Sequence, residues 1–552
     1  DMGETIYGQQ DGVSTCRERA GLYLRGLVGI RPMIDLNSYY LLVMNQDPTI
    51  AVIDPIIGVT GITKLYAQII LKRAGADWAK TKDENRLFVS MPVADMVAVV
   101  DTQKFAVTHN LPAGERPMRV RLQPDEKYLW VGNDSRKESE SGVTVLEADS
   151  LKWAGSILTG KGHHEIAFSD DSRYAFVTNR DGGTVTVIDV QTLEKVKDIE
   201  SGPMPISLAY SALSKSLYIA DGKEGAITVI DGSSHDIVTR IQTKPGLGPM
   251  GFSQDGRWGF VVNTREDLVY VFDPSVNAIA NAISVGDEPY QVAFSRSFAY
   301  VRSLGTERVS MIDLSELGKE ETVPVVTFAA GAKAPNVVRD VSMADAVIEA
   351  PGEAAVMVVS PADASVYYYM EGMLAPMGNF RNYGHRPRAA QVIDRSMQEK
   401  EPGVYGATLR LPESGNYDVI FLLESPSIVQ CFNLTAEKNP AHKYTGPPLK
   451  VEYLVKQRTV KVGEPVKLRI KLTEPQSGEA RTDLKDVRVL YYHASGRHRT
   501  VVPAVHVEGG VYEASLKVPA AGGYSVFVSS PLLNVGYNDL IYLTLRGVPE
   551  KT

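Results

Sequence analysis

From Tyr39 to Leu314 the chain is a succession of short apolar runs separated by polar, Gly- and Asp-rich turns. Within the runs apolar positions recur with a period of two, as they do along β-strands. One run recurs seven times and ends each time in an acid. It reads Ala51-Val-Ile-Asp54, Ala98-Val-Val-Asp101, Thr144-Val-Leu-Glu147, Thr186-Val-Ile-Asp189, Thr228-Val-Ile-Asp231, Tyr270-Val-Phe-Asp273 and Ser310-Met-Ile-Asp313. The acids are spaced by 47, 46, 42, 42, 42 and 40 residues. A second strand precedes each run, as in Tyr174-Ala-Phe-Val-Thr-Asn179 before the turn Arg180-Asp-Gly-Gly183, and a further strand precedes that one, as in Ile166-Ala-Phe-Ser169. A period near 40–45 residues made of strands alone predicts four-stranded propeller blades. An acid repeated once per blade is read as a turn residue that caps the strand end, because no catalytic role is needed seven times.

A weaker eighth copy follows, Val356-Met-Val-Val-Ser360 and Ser365-Val-Tyr-Tyr-Tyr-Met-Glu371, at an interval of 58 residues from Asp313. The expected fold is all-β, a seven-bladed propeller with eight blades as the alternative, followed by two immunoglobulin-like β-sandwich modules. The sandwiches are expected because Gly403-Val-Tyr…Pro412…Gly415-Asn-Tyr returns as Gly510-Val-Tyr…Pro519…Gly523-Tyr. The expected boundaries are 1–36 for an N-terminal extension, 37–350 for the propeller, 351–445 for a first sandwich with a Tyr/Met-rich connector, and 446–552 for a second sandwich.

Composition narrows the partners. A net charge of -8 without a long basic run argues against nucleic acid and anionic membranes. No apolar stretch reaches the ~18 residues of a membrane span, and Gly21–Ile30 is short and broken by Arg25. The sequence starts at Asp1, which suggests a processed chain and a periplasmic or extracellular location. Cys16 and Cys431 form one bridge or stay free; the spacing decides neither. Neither sits in C-x-x-C-H, so no covalent c-type haem is expected. Asn133-Asp-Ser and Asn433-Leu-Thr match the glycosylation pattern. The signatures of serine hydrolases, zinc proteases and nucleotide-binding loops do not occur.

Val177-Thr-Asn179 with Thr184-Val-Thr-Val-Ile-Asp189 resembles the repeat of the YVTN family of propellers, and the resemblance extends over roughly 39–314. It implies the fold and leaves function open, since propellers host enzymes, cofactor carriers and scaffolds alike. Most blades carry a Gly-x-x-Pro turn, as in Gly114-Glu-Arg-Pro117, Gly202-Pro-Met-Pro205 and Gly286-Asp-Glu-Pro289, with a variant at Gly248-Pro249. One blade departs from it with Gly160-Lys-Gly-His163-His164. An imidazole at the channel face can ligate a metal or haem iron or carry a proton, which proline cannot. The run His164-Glu-Ile-Ala-Phe-Ser-Asp-Asp-Ser-Arg-Tyr174 resembles the haem d1-binding propeller of cytochrome cd1 nitrite reductases. That resemblance implies a proximal-ligand role for His164, with His163 beside it. The later turns hold Pro205, Pro249 and Pro289 where that family has distal histidines, which speaks against nitrite reduction. The alternatives are that both histidines only hydrogen-bond loop carbonyls, or that they contact a protein partner.

A second candidate is Met370, Met373 and Met377 with His385, whose thioethers and imidazole would suit Cu(I). The alternative there is apolar packing at an interface. The C-terminal modules loosely resemble the immunoglobulin-like domains, including the FixH-like type, of secreted bacterial proteins, which implies docking or spacing. Three readings stay open. The favoured one is a secreted, non-catalytic scaffold of a redox or electron-transfer assembly, a complex subunit with a partner such as a multi-haem cytochrome. The second is an oxidoreductase or cofactor carrier holding haem d1 or copper at the channel face. The third is a structural surface protein.

Overall fold

The computed structural model describes residues 39–55, 64–320, 322–331, 343–373, 375–406, 415–423, 428–437, 447–455, 458–475, 477–493, 498–537 and 539–549. The chain divides into two compact units, 1–39 with 394–446, and 40–393 with 447–552. No α-helix occurs among the described residues, and none is long and apolar enough to cross a membrane.

The larger unit holds the propeller. Its repeat forms because each blade's strands are rich in Val, Ile, Phe and Tyr and end at turns that reverse the chain every six or seven residues. The strand runs Arg86–Met91 and Met96–Asp101, Tyr128–Asn133 and Gly142–Glu147, and Tyr174–Asn179 and Thr184–Asp189 are buried along most of their length. Neighbouring sheets pack face to face through these central strands, and apolar clusters such as Phe88, Val97, Val120, Leu129 and Val131 fill the space between two sheets. The repeated acids end the third strand of each sheet as expected. The carboxylates of Asp101, Asp189, Asp231, Asp273 and Asp313 accept a hydrogen bond from the backbone N–H two residues on, at 2.8–3.0 Å.

Eight four-stranded sheets of this kind follow one another, where seven were favoured. The eighth is built from Val347–Glu349, Ala355–Ser360, Ser365–Met370 and Gly378–Arg381. All four of its strands lie among the described residues. The first sheet is completed by Pro387–Asp394, which lies beside Tyr39–Asn45, so the two ends of the repeat meet in one sheet. The boundary expected at residue 350 therefore falls inside the eighth sheet, and the strands from 355 to 394 belong to propeller sheets. The segment taken for a first sandwich keeps only two two-stranded sheets among its described residues beyond 394. These are Gln398–Glu401 with Val404–Gly406, and Gly415–Leu423 with Ile428–Ala436.

Residues 449–545 form two further sheets, of four and five strands, around one core that includes Ile470, Leu472, Val489, Tyr512 and Val526. A smaller cluster joins Ile70 of the first propeller sheet to Leu490, Tyr492 and Phe527 of this sandwich. In the smaller unit Cys431 is disulfide-bonded; Cys16, the only other cysteine, lies outside the described residues. Asn133 is buried, donating to Ala113 O and accepting from Thr144 Oγ1, so its side chain is not presented for glycosylation.

Candidate functional site

The first strands of consecutive sheets touch one another from the second sheet to the eighth. Their registers are equivalent. Trp78, Val120, Ile166, Leu208, Met250, Val292 and Val347 each pair with the same position of the second strand, Val89, Val131, Val177, Ile219, Val261, Val301 and Val358. One residue earlier in each sheet stand Asp77, Arg119, Glu165, Ser207, Pro249, Gln291 and Ala346. Three adjacent sheets thus present acid, base and acid at one level.

Those three charges are joined. The Arg119 guanidinium lies 2.7 Å from Glu165 Oε2 and 3.5 Å from Asp77 Oδ2, and it donates to Met343 O at 2.7 Å. Asp77 Oδ2 also accepts from Val120 N at 3.0 Å and from Arg121 at 3.2 Å. Glu165 extends the chain to His163, whose Nε2 lies 3.2 Å from Glu165 Oε1 and whose Nδ1 lies 2.8 Å from Asp134 Oδ2. Burial alone would lower the His163 pKa, but its bonds to Asp134 and Glu165 outweigh that and hold it at about 9. Burial would raise Glu165; the Arg119 charge and the His163 bond outweigh it and bring the carboxyl to about 2. At neutral pH Glu165 is therefore a carboxylate and His163 an imidazolium.

His164 has the opposite environment. It is fully buried, its Nδ1 donates to Thr178 O at 2.8 Å, and Ser141 Oγ lies 2.9 Å from Nε2 and donates to it. Burial lowers its pKa, so the ring is neutral. Gly132 of the neighbouring sheet makes this packing possible, since a Cβ there would stand 2.8 Å from His164 O.

The residues present do not fit an axial-ligand role for haem d1 or a copper site. His163 has no lone pair to give while protonated between two carboxylates, and both nitrogens of His164 are spent on internal bonds. The same holds for His385, buried between Asp47 Oδ2 at 2.7 Å and Gln68 Nε2 at 3.0 Å. Its ring nitrogens are bonded to those two residues and to no methionine sulfur. Met370, Met373 and Met377 are exposed at the end of the third strand of the eighth sheet and the segment after it, with Met373 N donating to Met370 O. Among the described residues no group of three His, Cys, Asp or Glu side chains is placed to hold a metal.

The structure also corrects one turn. Leu247 pairs with Asn263, the partnership that Pro117 makes with Asn133, so Leu247 occupies the proline position of the sixth sheet and Pro249 lies two residues beyond it. His163 does occupy that position in its own sheet. The charged level carries no motif in the sequence, since its residue types change from sheet to sheet. Its signal is the residue two places later, Arg119, Glu165, Ser207 and Gln291.

Beside this chain of charges lies a cavity of about 210 Å³ lined by Asp77, Lys80, Arg121, Asp345, Glu349 and Gln391 among others. Asp345 is exposed to it. Burial among protein atoms raises the Asp345 pKa, and Arg121 and Arg119 oppose the rise.

A family model for YNCE-like β-propellers matches residues 67–258. No curated protein sequence matches the chain. Among solved structures, the dihydro-heme d1 dehydrogenase NirN in complex with DHE is similar at 13% identity with a TM-score of 0.52, over 66% of this chain and 77% of that one. AztD from Citrobacter koseri in its apo form aligns at 13% identity with a TM-score of 0.49, over 65% of this chain and 99% of that one. Hydrazine synthase of Kuenenia stuttgartiensis aligns at 21% identity with a TM-score of 0.38, over 44% and 77%. The YNCE-like match and the likeness to NirN are likenesses of the β-propeller fold.

Proposed function

We propose that this chain is a non-catalytic interaction subunit, a scaffold for a redox or electron-transfer assembly outside the cytoplasm that includes a cytochrome partner. The observation that carries the reading is that all three candidate imidazoles, on His163, His164 and His385, are consumed by internal bonds. The charged cluster thus braces the first strands of adjacent sheets, and these three rings are not read as ligands to a cofactor. Rigid multi-loop platforms of this kind suit protein partners.

The ribbon Gly415–Leu423 with Ile428–Ala436 supports a docking role. Its register sets Tyr417 opposite Leu434 and Val419 opposite Phe432 on one face, and Phe432 is 56% exposed. A two-stranded ribbon is marginal alone, and apolar side chains left open on it favour a protein contact. The disulfide at Cys431 suits an oxidising compartment. The sandwich at 449–545 is read as an immunoglobulin-like arm. The cytochrome part rests on the local resemblance of 164–174 to haem d1 propellers; NirN, whose structure carries DHE, supplies likeness of fold only.

The test is size-exclusion chromatography of native material with in-line visible absorption and iron and copper analysis, repeated on His164→Ala. Recovery in a large complex whose haem belongs to a separable partner, with colourless, metal-free subunit, supports the scaffold. Stoichiometric iron or copper on the isolated chain that His164→Ala removes overturns it in favour of a cofactor carrier. A colourless monomer without partners overturns it as well.

A further inference from the structure

The charge ladder leaves one carboxylate and one guanidinium facing the same space without touching. Asp345 accepts a single hydrogen bond, from the neutral amide Gln291 Nε2 at 3.2 Å, and makes no ion pair within 4.0 Å. Arg121 spends only one of its terminal nitrogens, on Asp77 Oδ2 and its neighbour's Val120 O at 3.0 Å. Both side chains line the 210 Å³ cavity, as does Gln391, whose Oε1 is buried without a hydrogen-bond partner.

Each of the two is tied to its own neighbours. The Asp345 main chain is pinned by Ala390 N donating to its carbonyl at 2.9 Å. Gln291 is itself fixed, because its Oε1 accepts from Ala346 N at 2.7 Å. The Asp77 and Val120 oxygens likewise hold Arg121. Opposite charges fixed apart in a protein-lined space are complementary to a ligand that carries both, since their orientation is set before binding.

We propose that this cavity binds a small zwitterion, its ammonium on Asp345 and its carboxylate on the free edge of Arg121. The volume admits about seven water-sized groups, the scale of a short amino acid and far below a tetrapyrrole. The site is separate from the protein-docking role above and stands or falls independently of it.

The test is isothermal titration of the full chain with glycine, β-alanine and γ-aminobutyrate, which lengthen the distance between the two charges, and with methylammonium and acetate as single-charge probes. Saturable one-to-one binding of at least one zwitterion, with neither single-charge probe matching it, is the expected result. Asp345→Asn and Arg121→Gln should each weaken that binding by roughly tenfold or more, the loss of one charge-assisted hydrogen bond. Thermal unfolding of each variant, unchanged from the parent, shows that the cavity survives the substitution. Where a variant does unfold early, Arg121→Lys takes its place, keeping the charge and losing the planar fork. Equal binding of methylammonium or acetate overturns the zwitterion assignment, and so does no heat from any probe.

Discussion

Raising the pH should loosen the charged chain at His163 before any other part of the propeller. The folded protein holds this imidazolium at about 9 against an ordinary value of 6.5, because Asp134 and Glu165 both accept its protons. A group whose pKa is raised on folding stabilises the fold fully below its unfolded value and loses that contribution as pH climbs to the folded one. The window is therefore pH 6.5 to 9. At about 1.4 kcal/mol per unit the full effect is about 3 kcal/mol, and the side chain is only 11% exposed, so solvent screening takes little from it. For a folding unit of about 350 residues this corresponds to a melting-point change of about 4 °C. Melting curves of the parent and of His163→Gln across pH 6 to 10 read the effect as the difference between their slopes. The parent should lose its advantage over the variant between pH 6.5 and 9, and the ring should titrate near 9 by NMR. Parallel pH profiles, or a ring that titrates near 6.5, would refute the argument. Glu165 works in the other direction. Its pKa is depressed to about 2, so its contribution is present above about 4.5 and is lost as pH falls towards 2.

Three other outcomes follow from the same geometry. Arg119→Met leaves Asp77 and Glu165 without their shared cation and should cost about 3–5 kcal/mol, whereas Arg119→Met combined with Glu165→Met should cost less than the two changes summed, as a double-mutant cycle of melting points will show. Gly132→Ala puts a methyl 2.8 Å from His164 O; it should destabilise by about 1–3 kcal/mol and shift the NMR titration of His163 on the same turn. Tyr369→Ala removes a fully buried ring stacked 3.7 Å from Phe328 of the seventh sheet and should cost about 3–5 kcal/mol by thermal unfolding, while a near-zero cost would mean that the eighth sheet is not part of the propeller core.

The blades were legible because their information is local. Each strand, turn and capping acid lies within one repeat, and the period of two names strands without any long-range knowledge. What was hidden is pairing between distant segments. Gln391-Val-Ile-Asp394 looks like one more repeat tail, yet it closes the first sheet beside Tyr39–Asn45 as a first strand and not a third. Nothing in its residue types separates those two roles. The same limit applied to the site. His163 and His164 stood out because they replace a proline, and that departure did mark the charged cluster. Which of their nitrogens were already occupied depends on Asp134, Ser141 and Thr178, residues that only the packing of adjacent sheets brings within reach. Asp345 was invisible for the same reason, since it precedes the first strand of the last sheet and lines one cavity with Arg121 of the third.

The way the chain leaves and re-enters the larger unit bears on how a docking role could coexist with a rigid platform. The propeller is closed by Pro387–Asp394 before the chain passes into the ribbon segment, and the sandwich begins afterwards, at 447. The sandwich has its own anchorage on the first sheet, through Ile70 packed with Leu490, Tyr492 and Phe527, whose stacked rings sit 5.7 Å apart. Its fold and attachment thus rest on contacts made within the larger unit. The segment 394–446 lies in the chain between Ile393 and Pro447, both of which belong to the larger unit. Long insertions at such points cost little, because closure entropy rises only slowly with loop length. The platform itself is locked internally, by the pairs that Asp77, Arg119, Glu165 and His163 make across adjacent sheets of the larger unit.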